Sequence, residues 1–133
     1  MSGDPRDGRG QSLVELALLL PFLLWVAAGI VDFGRIYHYD GVVIGAARTG
    51  ARAAADVRNS DGAVKQAVVD DAAPVAIPLT DVTITVSPAG TRAPGSTVTV
   101  GVAYSFTPIT PLVGALFPEG KVTISRSATM VAF

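Results

Sequence analysis

A charge-free run of sixteen residues, Leu16 to Val31, limits this chain more than any other feature. As a helix it spans roughly 24 Å, and counted from Gln11 roughly 31 Å. The hydrocarbon core of a bilayer is about 30 Å thick, so a membrane helix over about 11–31 is the expectation. In a chain of 133 residues this leaves room for one small domain beyond it. Residues 1–10 are polar, with Asp4, Arg6, Asp7 and Arg9 among glycine and proline, and predict disorder.

Three readings fit the apolar run. It could be a cleavable export signal cut near Ala27-Ala28-Gly29, a plain signal anchor, or a segment cut before its apolar helix. Glu15 and Pro21 bear on the choice. A carboxylate at the head of an apolar run opposes insertion, by up to ~2.5–3.5 kcal/mol near a helix centre and less near the interface. A chain that keeps Glu15 there has a use for it. Pro21 removes one helical hydrogen bond and favours a kink, which a membrane helix tolerates.

Gly10, followed by four residues and then Glu15 at the head of the run, resembles the processing site of a prepilin peptidase. The stretch Arg9-Gly10-Gln11-Ser12-Leu13-Val14-Glu15, then Leu20-Pro21, then Gly29-Ile30-Val31-Asp32-Phe33-Gly34-Arg35, resembles the amino-terminal signature of TadE-like minor pilins of the tight-adherence (Flp) pilus system. Further similarity lies in Ala46-Ala47-Arg48-Thr49-Gly50-Ala51-Arg52, in Thr107–Pro118 and in Ile124–Met130. The resemblance implies a leader of residues 1–10 and cleavage between Gly10 and Gln11. It also implies an amino terminus inside the cell and a carboxy-terminal part outside. The partners implied are other pilin subunits, pilus platform proteins, the prepilin peptidase and membrane lipid. The new α-amino group at Gln11 would then lie one turn from Glu15, or near that of a neighbouring subunit. Pairing the two offsets the cost of either charge in an apolar bundle. The alternative is that Glu15 sits at the membrane surface and snorkels. Leu16 departs from the aromatic residue usual in the major pilins of that system, which are also much shorter; both facts favour a minor pilin.

Charge alone does not orient the span, because Arg6 and Arg9 before it are matched by Arg35 and Arg48 after it. Aromatics between charges in Asp32–Asp40 have the character of a membrane-surface belt. Beyond it the helical pattern continues, predicting one helix over 11–56. Small residues recur every fourth position, with Gly41 and Gly45, Ala46, Gly50 and Ala54, and Ala47, Ala51 and Ala55. Such seams admit a second backbone, either a partner's or that of the chain's own core.

Residues 57–133 are the extracytoplasmic part that the resemblance implies. Asn59, Ser60 and Asp61 offer an N-cap for a helix to about Ala73, with Val64, Ala67, Val68 and Ala72 on one face. Pro74 and Pro78 end it. The period then changes to two, giving strands near 81–87, 96–106 and 121–132, the first two joined by a proline- and glycine-rich hairpin loop. An antiparallel sheet of three strands needs a cover, and the second half of the long helix supplies it. The fold class is therefore α+β, a long helix packed on a small antiparallel sheet, as in pilins. The apolar connection 107–120, with a helical turn at Pro111–Phe117, either caps the sheet or forms a docking patch.

Nothing in the sequence forms a catalytic constellation, so the expectation is no enzyme, no cofactor and no small-molecule substrate. The chain has no cysteine and one histidine, His38, flanked by tyrosines. Asp56, Asp61, Asp70, Asp71 and Asp81 lack the ligand spacing of a calcium loop. A net charge of −1 gives no basic face for nucleic acid. Two functional classes remain: a structural minor pilin acting in pilus assembly or initiation, or a membrane-tethered binding or adhesion module outside any pilus.

Overall fold

The structure is a computed structural model that describes residues 7–75 and 82–133. Residues 1–6 of the expected leader, the helix-ending Pro78, and Asp81 at the start of the first expected strand lie outside these. One helix, α1, runs from Asp7 to Ala55 and passes through Pro21 without a break. It begins upstream of the expected Gln11, and the stretch from Asp7 to Gly10, expected to be disordered, is helical. Residues 7–10 hold no proline, so nothing there stops the backbone ladder from propagating backward. From Gly10 to Ala55 the helix is long and apolar enough to cross a membrane. It fits a membrane anchor followed by a folded domain.

The chain turns at Ala55, and a second helix, α2 (Asp61–Ala72), returns along the first. Ser60 caps it by accepting the Ala63 amide. Its buried residues are Val64, Val68 and Ala72, spaced as one helical face. A single 3-10 turn, Ala73–Val75, follows. Three strands then form an antiparallel sheet in the order β1 (Val82–Ser87), β2 (Thr97–Phe106), β3 (Val122–Val131). The alternation in β2 is complete: Val98, Val100, Val102, Tyr104 and Phe106 are all buried on the face that α1 covers. On the outer face hydroxyls pair across strands, Thr99 with Thr129 at 2.9 Å and Ser105 with Thr123 at 2.8 Å.

Register fixes the two ends of the domain. Phe106 of β2 pairs with Val122 of β3 at the end nearest the apolar run, and Thr97 pairs with Val131 at the far end. At the far end the last turn of α1 finds partners for its carbonyls. Phe133 donates its amide to Ala55 at 2.8 Å, and the Asn59 side chain donates to Ala53 at 2.8 Å. The apolar connection between β2 and β3, with its short helix α3 (Pro111–Ala115), lies at the near end.

Candidate functional site

Three places along α1 carry the residues singled out by sequence. In the first, Gly10, Gln11, Glu15 and Pro21 are all exposed, as is every residue from Gly10 to Ala27. Gly10, Gln11, Val14, Glu15 and Leu18 share one surface groove. The structure thus leaves the proposed processing bond and the carboxylate together on an uncovered helix face.

The second place is the seam of small residues. Ala46, Ala47, Gly50, Ala51 and Ala54 are buried. Gly50 is the tightest point, because a Cβ there would lie 2.5 Å from Val68 Cγ2 and 2.9 Å from Val100 Cγ1. No side chain larger than hydrogen fits between α1, α2 and β2 at this level. Gly45 faces the Asp71 carboxylate of α2, and Thr49 donates to the same carboxylate at 3.2 Å. Gly41 takes no part in the seam: it is exposed, with open space around it.

The third place is Asp32, to which sequence reasoning gave a place in the TadE-like stretch and in the membrane-surface belt but no role of its own. Its side chain is 1% exposed. The carboxylate accepts the amides of Ile109 at 2.9 Å and Thr110 at 2.8 Å, and Arg35 lies 3.4 Å from the same group. Burial pushes its pKa up, but the two amides and the Arg35 charge outweigh burial and hold the carboxyl below the ordinary value of 3.8. One turn further, the Arg35 guanidinium lies over the rings of Tyr39 (5.8 Å) and Phe106 (5.3 Å). Tyr39 meets Tyr104 edge-on at 5.1 Å and Phe106 at 5.3 Å. Asp40 makes an ion pair with Arg126 of β3 at 2.8 Å. Arg126 occupies an inward position on an edge strand, where a charge blunts edge-to-edge pairing.

A signal for Asp32 was present. The core stripe of α1 steps back from Gly50 through Ala46, Val43, Tyr39 and Ile36 by alternating fours and threes, and the next step lands on Asp32. Arg92 had no such signal. It is wholly buried, donating to the Asn59 carbonyl at 2.9 Å and forming an ion pair with Asp61, whose other oxygen accepts the Gly90 amide at 2.8 Å. This staple closes the far end by joining the β1–β2 loop to the start of α2.

Among the described residues no three histidine or acidic side chains come together to hold a metal. His38 is exposed, with its ring 5.8 Å from that of Tyr39. The carboxylates that are buried or half-buried against the domain are engaged with amides or guanidinium groups.

No curated protein and no solved structure matches the chain. A protein-family model does match, that of the family described as TadE-like protein, over residues 10–52. The match opens at Gly10 and takes in Glu15, Pro21, Asp32 and the small-residue seam through Gly50. Over that length, nearly the whole of its long helix, the chain is similar to TadE-like proteins.

Proposed function

We propose that the chain is a minor pilin of a tight-adherence pilus, acting in assembly or initiation of the fibre. In this reading α1 crosses the cytoplasmic membrane over about 11–31 with its amino terminus inside, and a prepilin peptidase cuts between Gly10 and Gln11. The observation that carries the reading is a family match that begins at Gly10, together with a helix uncovered from there to Ala27. An exposed apolar helix of this length needs lipid or other helices around it. Glu15 then pairs with the new α-amino group of Gln11, on its own chain or on a neighbour. The domain has no assigned catalytic part in this reading, and its partners are other pilin subunits, platform proteins and lipid.

The test is the amino terminus of the mature protein. Intact-mass analysis of membranes from a peptidase-competent host is expected to give a chain starting at Gln11, and the full chain when the peptidase is deleted. A chain that keeps Met1, or starts near Gly29, in the competent host would favour a tethered binding module instead. With cleavage established, Glu15→Ala is expected to abolish incorporation into the pilus while leaving the membrane level unchanged. Normal incorporation refutes the pairing role.

A further inference from the structure

The helix and the sheet it covers are matched in length. Thr97 to Phe106 rises about 31 Å at ~3.4 Å per residue, and Asp32 to Ala55 rises about 34 Å at ~1.5 Å per residue. At the far end Phe133 is hydrogen-bonded to Ala55 and Ala132 to Ser96. The β2–β3 connection must therefore come down at the level of Asp32, and the Asp32 carboxylate holds it there through Ile109 and Thr110. Asp32 is also the first charged residue after the apolar run. An apolar connection is clamped where that run ends.

Burial shows the same boundary. Ala28 and Gly29, one turn before Asp32 and on its side of the helix, are already half-buried, although everything from Gly10 to Ala27 is exposed. The domain's cover reaches into the last turn of the apolar run. Ile109, whose amide Asp32 holds, is 63% exposed, and Leu116 of the same connection is 76% exposed. The nearby charges of the connection, Glu119 and Lys121, cancel, so charge attraction to lipid headgroups is not what the surface offers.

We propose that the connection rests in the bilayer surface, with Ile109 and Leu116 inserted at the boundary of headgroups and acyl chains in the leaflet from which Val31 emerges. The domain is then seated on the membrane as well as tied to it. This inference rests on the reading of α1 as a membrane span. Lipid is favoured over a second copy of the chain because the connection is clamped at Asp32, the residue that directly follows the apolar run.

The chain lacks cysteine, so single labels can be placed by Leu116→Cys, by Val131→Cys at the far end, and by Leu20→Cys within the span. Leu116 and Val131 are comparably exposed, at 76% and 61%. Each full-length variant carries an environment-sensitive fluorophore in phosphatidylcholine nanodiscs holding one copy, with and without lipids spin-labelled near the headgroup, and for position 20 with lipids spin-labelled deep in the acyl chain. An interfacial segment lies ~5–10 Å into the headgroup and acyl boundary, so quenching at Leu116→Cys is expected to exceed that at Val131→Cys about threefold. Adding Asp32→Ala should lower quenching at position 116 and leave position 20 unchanged. Equal quenching at 116 and 131, with position 20 quenched, overturns the seating of the loop alone. Absence of quenching at position 20 overturns the membrane span, and the inference with it. Shielding of position 116 that requires two copies per disc also overturns it, in favour of a contact between chains.

Discussion

Substituting Gly50 and Gly41 separately by alanine isolates the packing of α1 on the domain. Both are helical positions in one element, so the gain in helix propensity from glycine to alanine, about 1 kcal/mol, is common to the two. At Gly41 nothing lies within 4 Å of the new methyl, and Gly41→Ala is expected to stabilise by up to about 1 kcal/mol. At Gly50 the methyl would stand 2.5 Å from Val68 Cγ2 and 2.9 Å from Val100 Cγ1. Val68 and Val100 are fully buried and β-branched, so neither can swing away and α1 must shift from both α2 and the sheet. Overpacking of this kind costs about 1–3 kcal/mol. The common propensity gain cancels in the comparison, so Gly50→Ala should fall below Gly41→Ala by about 1–3 kcal/mol. Urea unfolding of the full chain in detergent, followed by near-ultraviolet circular dichroism of the Tyr39–Tyr104–Phe106 cluster, reads the difference. A Gly50→Ala protein as stable as Gly41→Ala would refute the proposed register of helix on sheet.

Removing the Asp32 carboxylate strips two amides of a charged acceptor, each bond being worth about 1.5–3 kcal/mol. Ile109 can recover a water, so amide exchange at Ile109 and Thr110 should speed up roughly a hundredfold in Asp32→Ala, or about 2.7 kcal/mol; unchanged exchange refutes the clamp. Because the Asp32 pKa is lowered on folding, its contribution is complete above the unfolded value of 3.8 and is lost as pH falls through the folded value. Exchange at Ile109 should therefore be flat from neutral pH to about pH 4, once corrected for intrinsic rates, and rise only below it. Asp61→Asn leaves the buried Arg92 charge uncompensated, and since Asp61 is 28% exposed the expected cost is about 2 kcal/mol, below the usual range for a broken buried pair. The double variant with Arg92→Met should recover part of that loss in urea unfolding. In the turn after α1, the Arg58 side chain and amide hold the Asp56 carboxyl down to about 2. Carboxyl titration by nuclear magnetic resonance should show Asp56 returning toward 3.8 in Arg58→Ala.

The sheet and its buried face were legible because period-two alternation in Val98–Phe106 admits only one pairing of faces. The second helix was legible through Ser60 and the spacing of Val64 and Val68. Less was readable where partners are distant in sequence. Arg92 sits in a loop whose composition says only turn, and its partners Asn59 and Asp61 lie about thirty residues back. Asp32 was masked by its neighbours: flanked by Val31 and Phe33 at the end of an apolar run, it resembled an interfacial charge, and its depth became visible only from the step pattern of the core stripe. The helical start at Asp7 was missed for the opposite reason, since polar composition weighed against a helix that simply continues one already nucleated.

Continuity of α1 has a mechanical consequence. No loop or glycine pair separates the exposed stretch that ends at Ala27 from the covered stretch that begins at Ala28, and the Asp32 carboxylate ties the sheet to the shaft at that same height. A sideways push on the far end, at Phe133 or the Arg92 staple, would find no joint to flex and would reach the exposed stretch as a tilt. If α1 packs among other pilin helices as proposed, a neighbour gripping that shaft would register what the far end touches.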